Sequence, residues 1–170
     1  MLLSRECLFS RTGLATLLTL GFAGTVGSAL GFEHIGGYIP CALCLIQRIP
    51  FYIAVPVGIL TIAASRFGAP AWASRGLFVI LGLIMLVSAG LGVYHAGVEW
   101  QFWAGPAGCS TSVNAVTMNA NDLLGDLNRL KPPSCSEASL RVLGLSFAGW
   151  NVIASLVLAA IAFFGARKTA

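Results

Sequence analysis

Four stretches of the chain are almost free of polar residues, and they set its pattern. The first runs from about residue 12 to 32 and holds no charge. The second covers about 45–65, with Arg48 near its start and Pro50 and Pro56 inside. The third covers about 76–94, again without charge, and the fourth about 142–164, with Asn151 as its most polar member. Each is close to the ~20 residues needed to cross a hydrocarbon core. Backbone groups in lipid must be paired within their own segment, so all four are expected to be helices. The two prolines remove N–H donors and should kink the second helix. The expected fold class is an all-α integral membrane protein: a four-helix transmembrane bundle forming a single transmembrane domain over residues 1–170.

The connecting segments are unequal. One outer loop, about residues 33–44, is short, and the other, about 95–141, is long enough to have structure of its own. Within it Val116, Ala120, Leu123, Leu124, Leu127 and Leu130 recur at helical spacing. That spacing predicts a short amphipathic helix lying on the membrane surface. Trp100, Phe102 and Trp103 suit the headgroup level and read as anchors before they read as substrate contacts. A cleaved leader is the other reading of the first stretch, with Arg5 and Arg11 as its basic end and Gly27-Ser28-Ala29 as its cleavage region. The apolar run exceeds the roughly 7–15 residues of a leader core, and three more spans favour a multi-pass protein.

Composition strengthens the membrane reading. Hydrophobic residues make up 57% of the chain and charged ones 9%, where a soluble domain has roughly 25% charged. The net charge is +4, but the basic residues are scattered and nothing suggests a nucleic-acid partner. They read instead as topology signals. Arg5 and Arg11, then Arg66 and Arg75, then Arg167 and Lys168 all fall on one side of an even-span protein. The positive-inside rule makes that side, and both termini, cytoplasmic. Five of the six acidic residues (Glu33, Glu99, Asp122, Asp126, Glu137) then lie outside.

This orientation sorts the cysteines. Cys41, Cys44, Cys109 and Cys135 fall on the outer side, where disulfides form and persist. Cys7 alone falls inside, as a free thiol. Cys41 and Cys44, three apart, can close a small ring or act as a dithiol, and such spacing lowers the pKa of one thiol. Arg48 comes four residues after Cys44, one helical turn away on the same face. A cation there favours a Cys44 thiolate and attracts the carbonyl oxygen of a bound ring. The plain alternative is an arginine snorkelling to the interface. Gln47 is left to packing or hydrogen bonding, and Glu33 and His34 to marking the end of the first helix.

Cys109 and Cys135 form a second, widely spaced pair. Gly105-Pro106, Gly108 and Pro132-Pro133 give it irregular approaches. It is either a structural staple or a redox relay open to attack by an incoming thiolate. A four-cysteine zinc site is disfavoured, because the second pair lacks close spacing and the compartment is oxidising. His95 should end the third helix near the depth of Cys44 and Arg48. It is either a hydrogen-bonded bystander or a group that donates to a bound carbonyl or passes a proton.

Taken together, these residues resemble the bacterial disulfide bond formation protein B (DsbB) family. The likeness rests on four helices, on Cys41-x-x-Cys44 followed by Arg48, and on the second pair Cys109 and Cys135. Tyr94-His95 and Trp150-Asn151 fit as well, so it spans nearly the whole chain. The resemblance implies a multi-pass protein of the bacterial inner membrane and a thiol:quinone oxidoreductase. A periplasmic thioredoxin-fold partner of the DsbA type would attack the loop disulfide at Cys109 and release Cys135. Cys135 would exchange with Cys41 and leave Cys44 as a thiolate. Cys44 would donate electrons to a bound ubiquinone or menaquinone, with Arg48, and His95 in support, beside the ring. As is known for the DsbA–DsbB–quinone system, a DsbA-type dithiol stands near about −120 mV, so its oxidant must lie higher.

Two other readings are weighed against this one. In vitamin-K-epoxide-reductase-like proteins the loop cysteines precede the C-x-x-C, whereas here the C-x-x-C comes first. A structural or transport membrane protein with two inert disulfides would not need Arg48 one turn from a cysteine.

Overall fold

A computed structural model describes residues 10–106, 135–136, 138 and 140–168. Helix α1 (Arg11–His34) is followed by α2 (Ala42–Arg66) and α3 (Ala71–Glu99). A two-stranded antiparallel hairpin, β1 (Arg141–Val142) and β2 (Leu145–Ser146), then leads into α4 (Phe147–Lys168). All four helices are long and apolar enough to cross a membrane, and the chain is a multi-pass membrane protein.

Local chemistry sets the helix starts. The Ser10 hydroxyl accepts from the Gly13 amide at 3.0 Å and caps α1. Cys41 caps α2 in the same way, its Sγ accepting from the Cys44 amide at 3.4 Å. Pro50 and Pro56 lie inside α2, which runs unbroken through both. Gly68, at φ +73°, takes the left-handed turn that reverses the chain between α2 and α3. Arg167 and Lys168 stand in the last turn of α4, where a cation complements the helix dipole.

The helices pack as a ring: α1 on α2, α2 on α3, α3 on α4, and α4 back on α1. Leu14, Leu18, Phe22, Phe51, Phe78 and Met85 fill the centre. The polar groups inside answer one another. Ser155 Oγ donates to Ser88 Oγ at 2.9 Å, and Asn151 Nδ2 donates to the Ser88 carbonyl at 3.2 Å. Outside, by contrast, Leu20, Ile53, Leu60, Leu83, Val87 and Leu156 are exposed. Apolar exterior and hydrogen-bonded polar interior are what lipid as a solvent selects. Small residues bring α3 and α4 close: a Cβ on Gly92 would lie 2.7 Å from Val152 Cγ2 and 3.3 Å from the Ala148 carbonyl oxygen.

The expected helices are all present, with shifted ends. α2 begins at Ala42, three residues before the apolar run, because Cys41 serves as its cap. The first outer loop therefore shrinks from 33–44 to 35–41. α3 is longer at both ends than the expected 76–94 and takes in Arg75 at its start and His95 and Glu99 at its finish. The fourth helix begins at Phe147 instead of 142, because the hairpin occupies the residues before it. Leu143 and Gly144, at φ 53° and 84°, make its two-residue turn. The expected surface helix over Val116–Leu130 lies outside the described residues.

Candidate redox site

The C-terminal ends of α1 and α3 and the N-terminal ends of α2 and α4 meet at one end of the bundle. The basic residues Arg11, Arg66, Arg75, Arg167 and Lys168 belong to the other end. Cys41 and Cys44 lie at the first turn of α2. Both are free thiols, with sulfurs 3.1 Å apart.

The two sulfurs face different surroundings. Cys41 is only 2% exposed and packs with Leu43, Val98 and Cys135 in a small cluster apart from the main core. Cys135 is disulfide-bonded and equally buried. Cys109 and Cys7 lie outside the described residues. Cys44 is less buried and lines a cavity of about 160 Å³ shared with Arg48. The structure thus brings the dithiol between a disulfide-bonded cysteine and an apolar cavity.

His95 is buried at the end of α3 beside Cys41, and it is not among the cavity-lining residues. Its Nε2 lies 3.7 Å from Cys41 Sγ and 3.8 Å from Glu99 Oε1. Its Nδ1 lies 2.6 Å from the Gln47 amide nitrogen. With Gln47 donating to Nδ1, the hydrogen of a neutral ring sits on Nε2 and points at Cys41 and Glu99. Glu99 is itself buried, and its Oε2 has no hydrogen-bond partner among the described residues.

Hydrogen bonding from the Cys44 thiol pulls Cys41 down from the ordinary thiol range to about 4, against the opposing effect of burial and with help from His95. The sequence reading placed the stabilised thiolate on Cys44, with Arg48 as its cation. In the structure Cys44 and Arg48 line the same cavity, and Arg48 also has protein partners. Its guanidinium is paired with the Glu33 carboxylate and donates to the Ala29 carbonyl at 3.3 Å. Cys41 is also the residue that caps the helix, where amide hydrogens converge.

Three residues of the site were not singled out by the sequence: Glu33, Gln47 and Glu99. Glu99 carried a usable signal, since it stands four residues after His95 and shares its helical face. Glu33 carried none, because its partner belongs to another helix. Trp103 stacks on Tyr94 with ring centroids 6.0 Å apart and donates its indole N–H to the Tyr94 carbonyl at 2.9 Å.

Four apolar helices with a dithiol at a helix start, set against a disulfide-bonded cysteine, define a polytopic membrane thiol–disulfide protein. Comparison with known proteins agrees. The family model described as "Disulfide bond formation protein DsbB" matches residues 10–165. The chain belongs to this family and is a disulfide-generating oxidoreductase. It is 30% identical to Disulfide bond formation protein B of Marinobacter nauticus, over 87% of each chain. It is 28% identical to the protein of that name from Alkalilimnicola ehrlichii, over 94% of each chain. Disulfide bond formation protein B 2 of Pseudomonas syringae is 26% identical, over 87% of this chain and 83% of its own. No solved structure gives a significant match.

Proposed function

We propose that this protein is a thiol:quinone oxidoreductase of the bacterial inner membrane that reoxidises a periplasmic DsbA-type thioredoxin-fold dithiol. The observation that carries the reading is the position of the Cys41–Cys44 dithiol, with bonded Cys135 on one side and a ring-sized cavity on the other. The catalytic residues are Cys41, Cys44, Cys109 and Cys135, within one transmembrane unit over residues 1–170. Both termini are cytoplasmic, on the basic end of the bundle.

The cavity suits a quinone head. Its volume of about 160 Å³ is close to the ~150 Å³ of a dry cavity that accepts benzene. Val26, Ala29, Phe32, Phe51, Phe147 and Trp150 supply apolar wall. Cys44, Arg48 and Asn151 supply the polar points that fix orientation. Ubiquinone or menaquinone, bound there, supplies acceptance of two electrons and two protons. Arg48 would offer such a group a cation and Cys44 would offer it a sulfur, both from the cavity wall. His95 serves from the Cys41 side and is assigned to the dithiol in preference to the ring.

The loop pair supplies entry. A partner thiolate attacks Cys109, Cys135 is released, and Cys135 exchanges with Cys41 beside it. Two inert staples would not need a cation beside a cysteine, and the place of Arg48 with Cys44 on one cavity wall argues against that alternative. The test is quinone reduction by the purified protein in detergent with a reduced thioredoxin-fold partner. Loss of the quinone absorbance, requiring Cys41, Cys44, Cys109 and Cys135 but not Cys7, is expected. No loss with either quinone type would return the chain to the inert-disulfide reading or to another acceptor.

A further inference from the structure

A buried carboxyl at the end of α3 has no part in the scheme above. Glu99 has one oxygen 3.8 Å from His95 Nε2 and the other buried with no hydrogen-bond partner among the described residues. Burying a carboxylate is costly unless a nearby positive charge answers it. Among the described residues the ionisable base beside it is His95, one helical turn back. His95 Nε2 also lies 3.7 Å from Cys41 Sγ. Its far nitrogen rests against an amide that can turn to offer either its N–H or its carbonyl. The imidazole can therefore be satisfied in both its neutral and its charged form.

We propose that Glu99 is a positioning residue of the redox site, a buried counter-charge that lets His95 hold the proton given up by Cys41. The inference rests on the dithiol reading above and adds the fate of a proton. Reduction of the Cys41–Cys44 disulfide breaks one S–S bond and brings two electrons and two protons from an incoming dithiol, which leaves as a disulfide. Cys44 takes one proton as its thiol. The second is held by the imidazole: Nε2 already carries a hydrogen, so the added proton is on Nδ1 against the turned Gln47 carbonyl, and Cys41 remains a thiolate in a Cys41⁻–His95⁺–Glu99⁻ row. Reoxidation by the two-electron acceptor removes both electrons and releases both protons. The low Cys41 pKa is consistent with this row.

The charged and titratable groups facing Cys41 are few. Among the described residues these are Cys44 from α2 and His95 from α3, with Glu99 set against the far side of His95. Cys135 is disulfide-bonded and does not titrate. Arg48 and Glu33 pair with each other on the cavity side. Among the described residues Glu99 is thus the carboxylate positioned to hold charge on His95.

The test uses full-length protein carrying Cys7→Ser, Cys109→Ser and Cys135→Ser, which leaves one dithiol. The ultraviolet absorbance of its thiolate is followed against pH in the reduced state. Glu99→Gln is expected to raise the proton affinity of Cys41 about 100-fold, moving the thiolate midpoint up by about two pH units. Glu99→Asp should restore part of the shift. His95→Gln should shift Cys41 as Glu99→Gln does, and the double variant should shift it no further, since one residue acts through the other. An unchanged midpoint in Glu99→Gln overturns the proposal. Should that variant not fold, an unchanged midpoint in His95→Gln overturns it equally. Quinone reduction in the otherwise unmodified protein is measured alongside. A shifted midpoint without quinone reduction sinks the quinone reading and leaves Glu99 in its role. Quinone reduction with an unmoved midpoint does the reverse.

Discussion

Glu33, at the end of α1, forms an ion pair with Arg48, in the second turn of α2, on the wall of the cavity that Cys44 lines. Both side chains are mostly buried, at 26% and 12% exposure, so the pair is screened less than a surface one. Removing Arg48 alone leaves a carboxylate half-buried and unanswered. Arg48→Ala should therefore cost more stability than Arg48→Ala with Glu33→Ala, the coupling being about 1–3 kcal/mol. Thermal unfolding of the four proteins in detergent checks this, and simple additivity would refute it.

The same pair bears on acceptor binding. Arg48→Ala should raise the KM for quinone about tenfold or more, the loss of one charge-assisted hydrogen bond, without loss of helical content. Glu33→Gln should not raise it, because it frees the guanidinium. Equal effects of the two changes would mean that the pair is only a structural brace.

The two sulfurs of the dithiol should separate functionally. Cys44→Ser is expected to abolish quinone reduction while a reduced partner is still trapped as a mixed disulfide at Cys109. Non-reducing gels read the trapped species. Normal turnover of this variant would remove Cys44 from the proposed path.

Stability of the reduced protein should depend on pH through Cys41. Its pKa is about 4 in the fold and near about 8.5 in an unfolded chain. The unfolded state therefore binds more protons between these values, and the reduced form gains stability as pH rises through the window. The gain is complete above the unfolded value and lost as pH falls toward the folded one. The unfolding temperature of reduced relative to oxidised protein should climb from about pH 5 to about pH 8, and Cys41→Ser should flatten the trend. A flat profile in the unaltered protein would contradict the lowered pKa.

The α3–α4 contact makes a prediction that does not involve chemistry. A side chain on Gly92 meets Val152 and the Ala148 carbonyl, whereas one on Gly76 meets nothing within 4 Å. Gly92→Val should destabilise by about 1–3 kcal/mol, and Gly76→Ala should be nearly neutral. Equal unfolding temperatures would show that α3 and α4 can separate at little cost.

The four spans were legible because lipid imposes one rule on every residue of a span. Their ends were less so. A cysteine is a poor signal of a helix cap, so the start of α2 was placed three residues late. Arg75 and Glu99 looked like loop residues by charge alone, yet α3 includes both. The hairpin escaped notice because two strands of two residues carry no alternation to detect. In the site, the Cys41-x-x-Cys44 spacing and Arg48 were visible as local pattern. The Glu33–Arg48 and Gln47–His95 contacts join different helices, and no periodicity along one helix reveals such a meeting.

Cys41 is turned into the cluster with Cys135, and Cys44 toward the cavity, a single helical turn apart. That turn behaves as electrical insulation with one wire through it. A small reductant in the water meets a sealed sulfur at Cys41, and a partner protein is too large to enter the cavity. In the proposed path electrons pass by covalent exchange along the cysteines, which would shield a lipid-soluble oxidant from being discharged by the commoner thiols around it.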